Sequence, residues 1–189
     1  ILTRLPILES RDRPDLDPFS SDDAFSRTFG EVVVSHNGKR VVLMTVHLLP
    51  SWKNTTSIRL REIAAVERAT QRHRKRNLSV IVMGDANHQP ATPEYEAWVR
   101  AGFTDSYLAS GGDPVGGWTC PSTGLTERID YVWVTGPLSR QVLESRPLSD
   151  DEFHVDPARG DDEALSDHVP VIAVLGSRIR PSVPPKDQR

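Results

Sequence analysis

Short apolar segments dominate the pattern of the chain, and most of them have the length and the β-branched composition of strands. Strands are predicted at the first residues from Ile1, in the run before His36, and over residues 41–48, 79–83, 128–134 and 168–175. Residues 41–48 are almost continuously apolar, as expected of a strand covered on both faces. Asn37 and Gly38 separate two β-branched runs, and this dipeptide predicts a type I′ hairpin turn.

Two other segments have the period of amphipathic helices. In residues 56–76 the apolar side chains of Ile58, Ile63, Val66 and Ala69 recur near the helical period. The basic end of this segment, "RHRKR", is expected to be a solvated last turn that complements the helix dipole, rather than a nucleic-acid patch. A second, shorter helix is predicted over residues 93–101, ending at Gly102.

Polar segments rich in proline, glycine and aspartate separate these elements and predict surface loops over residues 11–23, 110–117 and 148–165. The last segment, 177–189, contains three prolines and is predicted to be a disordered tail. Residues 1–176 are therefore expected to form one domain. Apolar strands mixed with a hairpin and a few helices favour an α/β fold of two packed sheets with helices outside.

Composition narrows the function classes only slightly. The 189 residues are 37% hydrophobic, which is enough for one core, and the formal net charge is -3. Such a chain has no overall basic field, so nucleic acid is neither indicated nor excluded as a partner. Cys120 is the single cysteine, and we expect it to be a small buried side chain. No transmembrane run or signal peptide is evident, which predicts a soluble chain with the cytoplasm only slightly favoured.

Polar side chains that could take part in catalysis or bind a ligand occur where the predicted strands end. They are His47 in "TVHLL", Asp85 and Asn87 in "GDANH", Asp130 in "RIDYV", and Asp167 and His168 in "LSDHVP". Each one alone has an ordinary structural explanation, such as a turn or a loop cap. An acid such as Asp130 inside an apolar strand, however, needs a partner. Together these residues favour a site, because layered α/β folds collect functional groups at strand ends.

The ordered segments "ILTRLPI", "TVHL", "GDAN", "RIDYV" and "SDH" resemble the endonuclease/exonuclease/phosphatase superfamily of metal-dependent phosphoesterases. The resemblance implies a deoxyribonuclease-I-like α/β fold, a two-layer β-sandwich flanked by helices. It also implies that the family's first strand and its metal-binding glutamate would lie upstream of Ile1. We therefore expect a fold that is incomplete at the N-terminus, with an open sheet edge that an N-terminal segment or a second chain would complete.

The resemblance also implies roles for five residues. His168 would contact the phosphate and act as acid or base, with Asp130 fixing its imidazole. Asp85 would orient or deprotonate the attacking water, or protonate the leaving group. Asn87 would donate a hydrogen bond to the phosphate, and His47 would be the second imidazole beside it.

A metal and a substrate contact follow from the same resemblance. Mg²⁺, or Mn²⁺ in its place, would lie near Asp167, and the sequence leaves open whether Asp85 or Asn87 also binds it. Trp118 in "GGWTCP" would stack on a base or a sugar, or else fill the core. His88 lies outside the matched motif and is predicted to be a loop histidine rather than a substrate contact.

Two arginines match the family without a clear role. Arg4 and Arg128 are expected to be structural ion-pair partners as readily as phosphate contacts. Neither is included among the predicted catalytic residues.

The sequence thus favours hydrolysis of a phosphodiester or phosphomonoester by the parent protein. The acidic segment 148–165 favours a small or lipid substrate over a long polyanion. The alternative is a non-catalytic fragment, or a subunit that needs a partner chain to complete the site. A serine hydrolase is disfavoured, because no "GxSxG" motif is present and Ser166 lacks an activating context.

Overall fold

A computed structural model describes residues 1–12, 27–50, 55–149 and 165–176 of the chain. The predicted tail, 177–189, lies outside the described residues, as do most of the predicted loops 11–23 and 148–165. None of the described helices is long and apolar enough to cross a membrane.

Eight strands, three helices and one 3-10 helix make up the described part of the chain. The strands are β1 (Ile7–Asp12), β2 (Thr28–His36), β3 (Lys39–His47), β4 (Ser79–Asp85), β5 (Phe103–Asp105), β6 (Asp130–Thr135), β7 (Val142–Pro147) and β8 (Val171–Leu175). The helices are α1 (Thr56–Arg74), α2 (Pro93–Arg100) and α3 (Ser106–Ala109), and the 3-10 helix spans Gly136–Arg140.

Six strands form one sheet in the order β1-β2-β3-β4-β6-β5, and β7 pairs with β8 in a second, two-stranded sheet. Among the described strands, only β3 and β4 run parallel, and the other pairs are antiparallel. The second sheet contacts β6 through β8, so the two sheets form the layers of a sandwich. β1 is an edge strand whose side chains Ile7 and Leu8 are exposed. The architecture agrees with the predicted α/β sandwich.

The hairpin between β2 and β3 has the predicted turn. Asn37 and Gly38 have φ angles of 50° and 72°, and His36 pairs directly with Lys39. Two consecutive residues with positive φ define the type I′ turn, which matches the right-handed twist of the flanking strands.

The main core lies between the six-stranded sheet and the helices. The predicted face of α1, which includes Ile63, Val66 and Ala69, is buried against β3 and β4. Every second residue of β3, such as Val42 and Met44, faces this core, whereas the alternate residues are only half-buried. The predicted cover of β3 on both faces is therefore uneven, because the second sheet has only two described strands.

Several boundaries differ from the sequence prediction. The first strand begins at Ile7 rather than Ile1, and β6 begins at Asp130 rather than Arg128. β8 begins at Val171, after Pro170, which has no amide hydrogen to donate. The short or polar elements β5, α3 and β7 lack a clear hydrophobic period, and the sequence did not indicate them.

The basic end of α1 is only partly the predicted solvated turn: three of its five side chains are exposed, whereas those of His73 and Arg74 are not. Arg74 donates from Nη1 to the carbonyl of Ala101 at 2.7 Å and from Nη2 to that of Gly102 at 2.9 Å. It thereby satisfies carbonyls at the C-terminus of α2 that lack helical partners. His73 is buried and pairs with Glu31 on β2, with 2.9 Å between Nε2 and Oε1.

Candidate active site

Three predicted site residues lie side by side at the ends of adjacent strands. His47 at the end of β3 is in register with Asp85 at the end of β4, and Asp85 is in register with Asp130 at the start of β6. Residues directly opposite on paired strands project to the same face of the sheet. Because Val46 beside His47 is buried in the helical core, the row faces the other way, toward the second sheet.

Gly84 explains how β3 and β4 can approach so closely beside this row. It has a φ of 137°, and a Cβ atom there would lie only 2.0 Å from the carbonyl oxygen of Val46. Only glycine fits this position without separating the two strands. The pairing then continues past the row, since the amide of Leu48 donates to the Asp85 carbonyl at 2.9 Å.

The loop after β4 holds the Asp85 carboxylate in a fixed orientation. The Asn87 amide donates to Oδ1 at 2.8 Å, and its side-chain Nδ2 donates to Oδ2 at 2.9 Å. Nδ2 also donates to the Leu48 carbonyl at 3.0 Å. Both Nδ2 hydrogens are therefore engaged, so donation to a phosphate, as predicted for Asn87, would require exchange of one of these bonds.

His168 reaches the row from the segment before β8. Its Nδ1 donates to Oδ2 of Asp130 at 2.7 Å, which gives the acid in the apolar strand the partner that its position requires. The backbone on both sides of His168 is fixed: Ser122 donates to the Asp167 carbonyl at 2.8 Å, and Val169 donates to the Thr119 carbonyl at 2.9 Å. The carboxylate sets the tautomer of the ring, so that Nε2 is the nitrogen left for chemistry.

A single open cleft of about 440 Å³ brings all six predicted polar residues together. Its lining residues are Arg27, His47, Pro50, Asp85, Asn87, Asp130, Asp167 and His168. Asp167 is exposed at the rim, whereas Asp85 and Asp130 are largely buried at the base. We call this group of eight residues the cleft.

Arg27 is a cleft residue that the sequence did not indicate. It immediately precedes β2 and places Nη1 2.8 Å from Nε2 of His47. A guanidinium always donates, so Nε2 of His47 accepts here and its ring carries its hydrogen on Nδ1. The only signal in the sequence was a lone arginine before a β-branched run, and this is a common surface pattern.

The electrostatics of the cleft favour proton exchange. Burial raises the pKa of Asp85, and the nearby Asp130 carboxylate raises it further, although the Asn87 amide opposes this. Burial alone would lower the pKa of His168, but the hydrogen bond and charge of Asp130 outweigh it and raise that pKa. Asp85 therefore takes up a proton at a higher pH than an ordinary aspartate, and His168 keeps its proton to a higher pH than an ordinary histidine.

The base of the cleft also has the donor set of a cation site. Asp85, Asp130 and His168 each offer one ligand atom, and these atoms all lie within 4.8 Å of one another. Carboxylate oxygens are the ligands that Mg²⁺ prefers, so the two aspartates fit such an ion. Asp167, the main predicted metal ligand, lines the rim of the cleft and lies outside this cluster.

His88, Arg128 and Trp118, which the sequence analysis considered, lie outside the cleft. His88 is not an exposed loop histidine: it is 3% exposed, stacks on Tyr131 and accepts a hydrogen bond from the Trp98 indole at 3.1 Å. Arg128 is a buried ion-pair partner of Asp105, one of its two predicted roles. Trp118 is 47% exposed, so it does not fill the core.

Cys120 differs from its prediction. It is half-buried rather than buried, and it lies in the loop that precedes β6. Burial and the nearby Asp167 carboxylate both raise the pKa of its thiol, so it is not an activated nucleophile.

Comparison with known proteins agrees with this arrangement. The sequence pattern of the endonuclease/exonuclease/phosphatase family matches residues 1–168. The chain belongs to this family. The match covers all six predicted polar residues of the cleft, and it confirms the predicted family and fold. No curated protein matches the chain in sequence.

Solved structures show the same fold at low sequence identity. A mannosyl-6-phosphatase from Bacteroides thetaiotaomicron has a TM-score of 0.70 and 21% identity, over 92% of this chain and 67% of its own. A 3′ phosphatase from Neisseria, bound to a product DNA hairpin, has a TM-score of 0.68 and 18% identity, over 93% and 73%. A family protein from Leptotrichia buccalis has a TM-score of 0.65 and 20% identity, over 93% and 63%. The chain thus spans about two thirds of the length of these structures.

Proposed function

We propose that the protein hydrolyses a phosphoester bond with the help of a divalent cation, and that Mg²⁺ is the cation that fits best. The observation that carries the proposal is the row of His47, Asp85 and Asp130 in register on three strands, with His168 bonded to Asp130. An acid with a raised pKa beside an imidazole held by a carboxylate is the arrangement that general acid-base catalysis needs.

His168 would bind the phosphate through Nε2, the ring nitrogen that does not face Asp130. Because Asp130 raises its pKa, the ring is more often protonated than an ordinary histidine and can neutralise charge that develops on the phosphoryl oxygens. Asp130 holds the ring in place and stabilises its charged form. The pair thus places an oriented imidazole at the base of the cleft.

Asp85 would handle the proton of the attacking water or of the departing oxygen. Its carboxylate is fixed by Asn87, and its raised pKa makes it a stronger proton acceptor than an ordinary aspartate. Oδ2 lies 3.4 Å from Nε2 of His47. Arg27 bonds to that same nitrogen and adds a positive charge beside it, which favours an anionic substrate at this end of the cleft.

A divalent cation would be held by Asp85 and Asp130, with Asp167 available at the rim. When bound, such an ion polarises a phosphoryl oxygen and lowers the pKa of a water. His168 offers Nδ1 to Asp130 rather than to the cleft, so the carboxylate oxygens are the better ligands for a hard ion. Mn²⁺ would suit the same set.

The substrate class is a phosphate ester with an organic group that fits an open cleft. Two solved relatives are named as a mannosyl-6-phosphatase and as a 3′ phosphatase bound to a product DNA hairpin, and both share the fold of this chain. We propose that Trp118, exposed in the loop after the glycine-rich segment, contacts the organic part of the substrate. Aromatic rings stack on both sugars and bases.

The test is hydrolysis of bis-(4-nitrophenyl) phosphate, a diester, and 4-nitrophenyl phosphate, a monoester. Both are assayed with the 189-residue chain and with the full product of its reading frame, each with MgCl₂, MnCl₂ or EDTA. His168→Ala is the test variant, and His36→Ala, which removes an exposed histidine beside the hairpin turn, is the matched control.

We expect turnover that needs the cation, falls at least about a hundredfold in His168→Ala, and is unchanged in His36→Ala. Turnover that is indifferent to EDTA and to His168 would contradict the mechanism. Turnover by the longer product alone would support the alternative that these 189 residues need another segment or chain to complete the site.

A further inference from the structure

Arg128 is a deeply buried charge close to the cleft, and the proposed chemistry does not use it. Its side chain is 3% exposed, and its Nη1 donates to Oδ2 of Asp105 at 2.5 Å. Tyr107, Tyr131 and Tyr95 surround the guanidinium, with ring centres 5.0, 5.1 and 6.0 Å from Cζ. Such a cage holds the side chain in one orientation, because each ring face attracts the cation.

The other nitrogens of Arg128 are not used by the described residues. Nε and Nη2 are buried and have no hydrogen-bond partner there. A small cavity of about 10 Å³ is lined by Arg128, Asp130 and the serines Ser106 and Ser145. That volume holds about one water, and a polar lining is what a buried water requires. Asp130 also lines the cleft, so it separates the cavity from the site.

The backbone between Arg128 and Asp130 is tied down at several points. The Tyr131 hydroxyl donates to the Arg128 carbonyl at 2.8 Å, and the hydroxyl of Thr119 accepts from the amides of Ile129 and Asp130 at 3.2 and 3.3 Å. The Arg128 guanidinium and the Asp130 carboxylate both border the small cavity, and the short backbone segment that joins them is held in place.

One tyrosine of the cage also contacts the glycine-rich loop that precedes Trp118. Gly112 and Gly117 pack against the ring of Tyr107, where a Cβ atom would lie 2.5 and 2.7 Å from the ring. Trp118 follows Gly117 directly. The glycine-rich loop thus packs on Tyr107, one of the three rings around Arg128.

We propose that Arg128 is a positioning residue that holds Asp130 against His168, directly through the β6 backbone and through one buried water shared by Arg128 and Asp130. The proposal extends the proposed function, since it explains how the Asp130 carboxylate keeps its orientation while one face lies open to the cleft. It concerns the hydrogen bond between two side chains, however, and that bond exists whether or not the chain turns over a substrate.

The experiment observes that hydrogen bond by NMR rather than by activity. The Nδ1 hydrogen of His168 is followed in the ¹⁵N-labelled chain through its downfield shift and its exchange with water, and it is assigned by its loss in Asp130→Asn. Arg128→Lys is the test variant. Arg59→Lys is the matched control, because Arg59 is equally buried and pairs with Glu94 at 2.6 Å, away from Asp130.

We expect Arg128→Lys to remain folded by circular dichroism while the His168 hydrogen exchanges about tenfold faster or more and loses its downfield shift. Arg59→Lys should leave this signal unchanged. An unchanged signal in folded Arg128→Lys, or an equal change in both variants, would overturn the proposal. If Arg128→Lys does not fold, the neutral pair Arg128→Gln with Asp105→Asn is measured by the same criterion.

Discussion

The cleft and the buried layer behind it contain the same residue types, but these have chemical roles in the proposed site and structural roles in the layer. The layer consists of His88, Tyr95, Trp98, Tyr131 and Trp133, together with the ion pair of Asp105 and Arg128. The cleft also contains histidines, aspartates and an arginine. The two regions meet at the start of β6, where Tyr131 faces the layer and Asp130 faces the cleft.

The histidines show the difference most clearly. His88 donates from Nδ1 to the Gln89 carbonyl and accepts at Nε2 from Trp98, which requires a neutral ring, and burial lowers its pKa to about 4. His168 has a carboxylate on Nδ1, and its pKa is raised instead. Residue type therefore does not separate a structural from a chemical histidine; the partner of each ring nitrogen and the access of solvent do.

The largest expected effect lies in the cleft. Asp85→Asn should lower kcat/KM by about 10²- to 10⁴-fold because the proton-transfer group is lost, while stability changes little. The measurements are steady-state kinetics and urea unfolding of the same preparation. Glu96→Gln, at an exposed pair on α2, is the control. An Asp85→Asn protein with unchanged activity would contradict the proposed role of Asp85 and the comparison between the cleft and the buried layer.

The corresponding change in the buried layer should affect folding instead. Asp105→Ala leaves the Arg128 charge buried and unpaired, and we expect a loss of about 3–5 kcal/mol in the free energy of unfolding. Glu144→Gln, in the exposed pair with Arg146, should cost less than about 1 kcal/mol. Urea unfolding followed by tryptophan fluorescence measures both. Equal losses in the free energy of unfolding for the two variants would show that the buried ion pair contributes no more to stability than the exposed pair.

Protonation of His88 should contribute to the pH dependence of the free energy of unfolding. Its pKa is about 4 when folded and 6.5 when unfolded, so the unfolded state binds more protons between these values. Stability from this group is thus complete above about pH 6.5 and decreases by up to about 3 kcal/mol as the pH falls to 4. His88→Gln should flatten that part of the profile. A variant with the same slope as the parent would contradict the assignment.

The smallest expected effect is at Trp118. Because the side chain is 47% exposed, Trp118→Ala should change the free energy of unfolding by about 1 kcal/mol or less. If the ring contacts the substrate, KM should rise for esters with aromatic or sugar groups, with kcat nearly unchanged. The comparison of KM for a nitrophenyl ester and for a simple alkyl phosphate tests this. Equal changes in KM for both esters would show that the Trp118 ring does not contact the organic group of the substrate.

Strong local signals in the sequence predicted much of this arrangement. The Asn37-Gly38 turn, the amphipathic face of α1 and the polar residues at strand ends were all found, because each depends on neighbouring residues. Arg74 and His88 were misjudged, because their partners are at Ala101 and Trp98, brought near only by folding. Arg27 was missed for the same reason.

Because His47, Asp85 and Asp130 come from three paired strands, the geometry of the proposed site depends on the alignment of the sheet. A slip of β4 by one residue would turn Asp85 toward the helical core and bring Gly84 out of its place against Val46. A chain that has paired its strands in the wrong alignment would thus lack the site altogether rather than hold a weakened one. Specific activity per mole should for that reason report the fraction of correctly aligned molecules in any refolded sample.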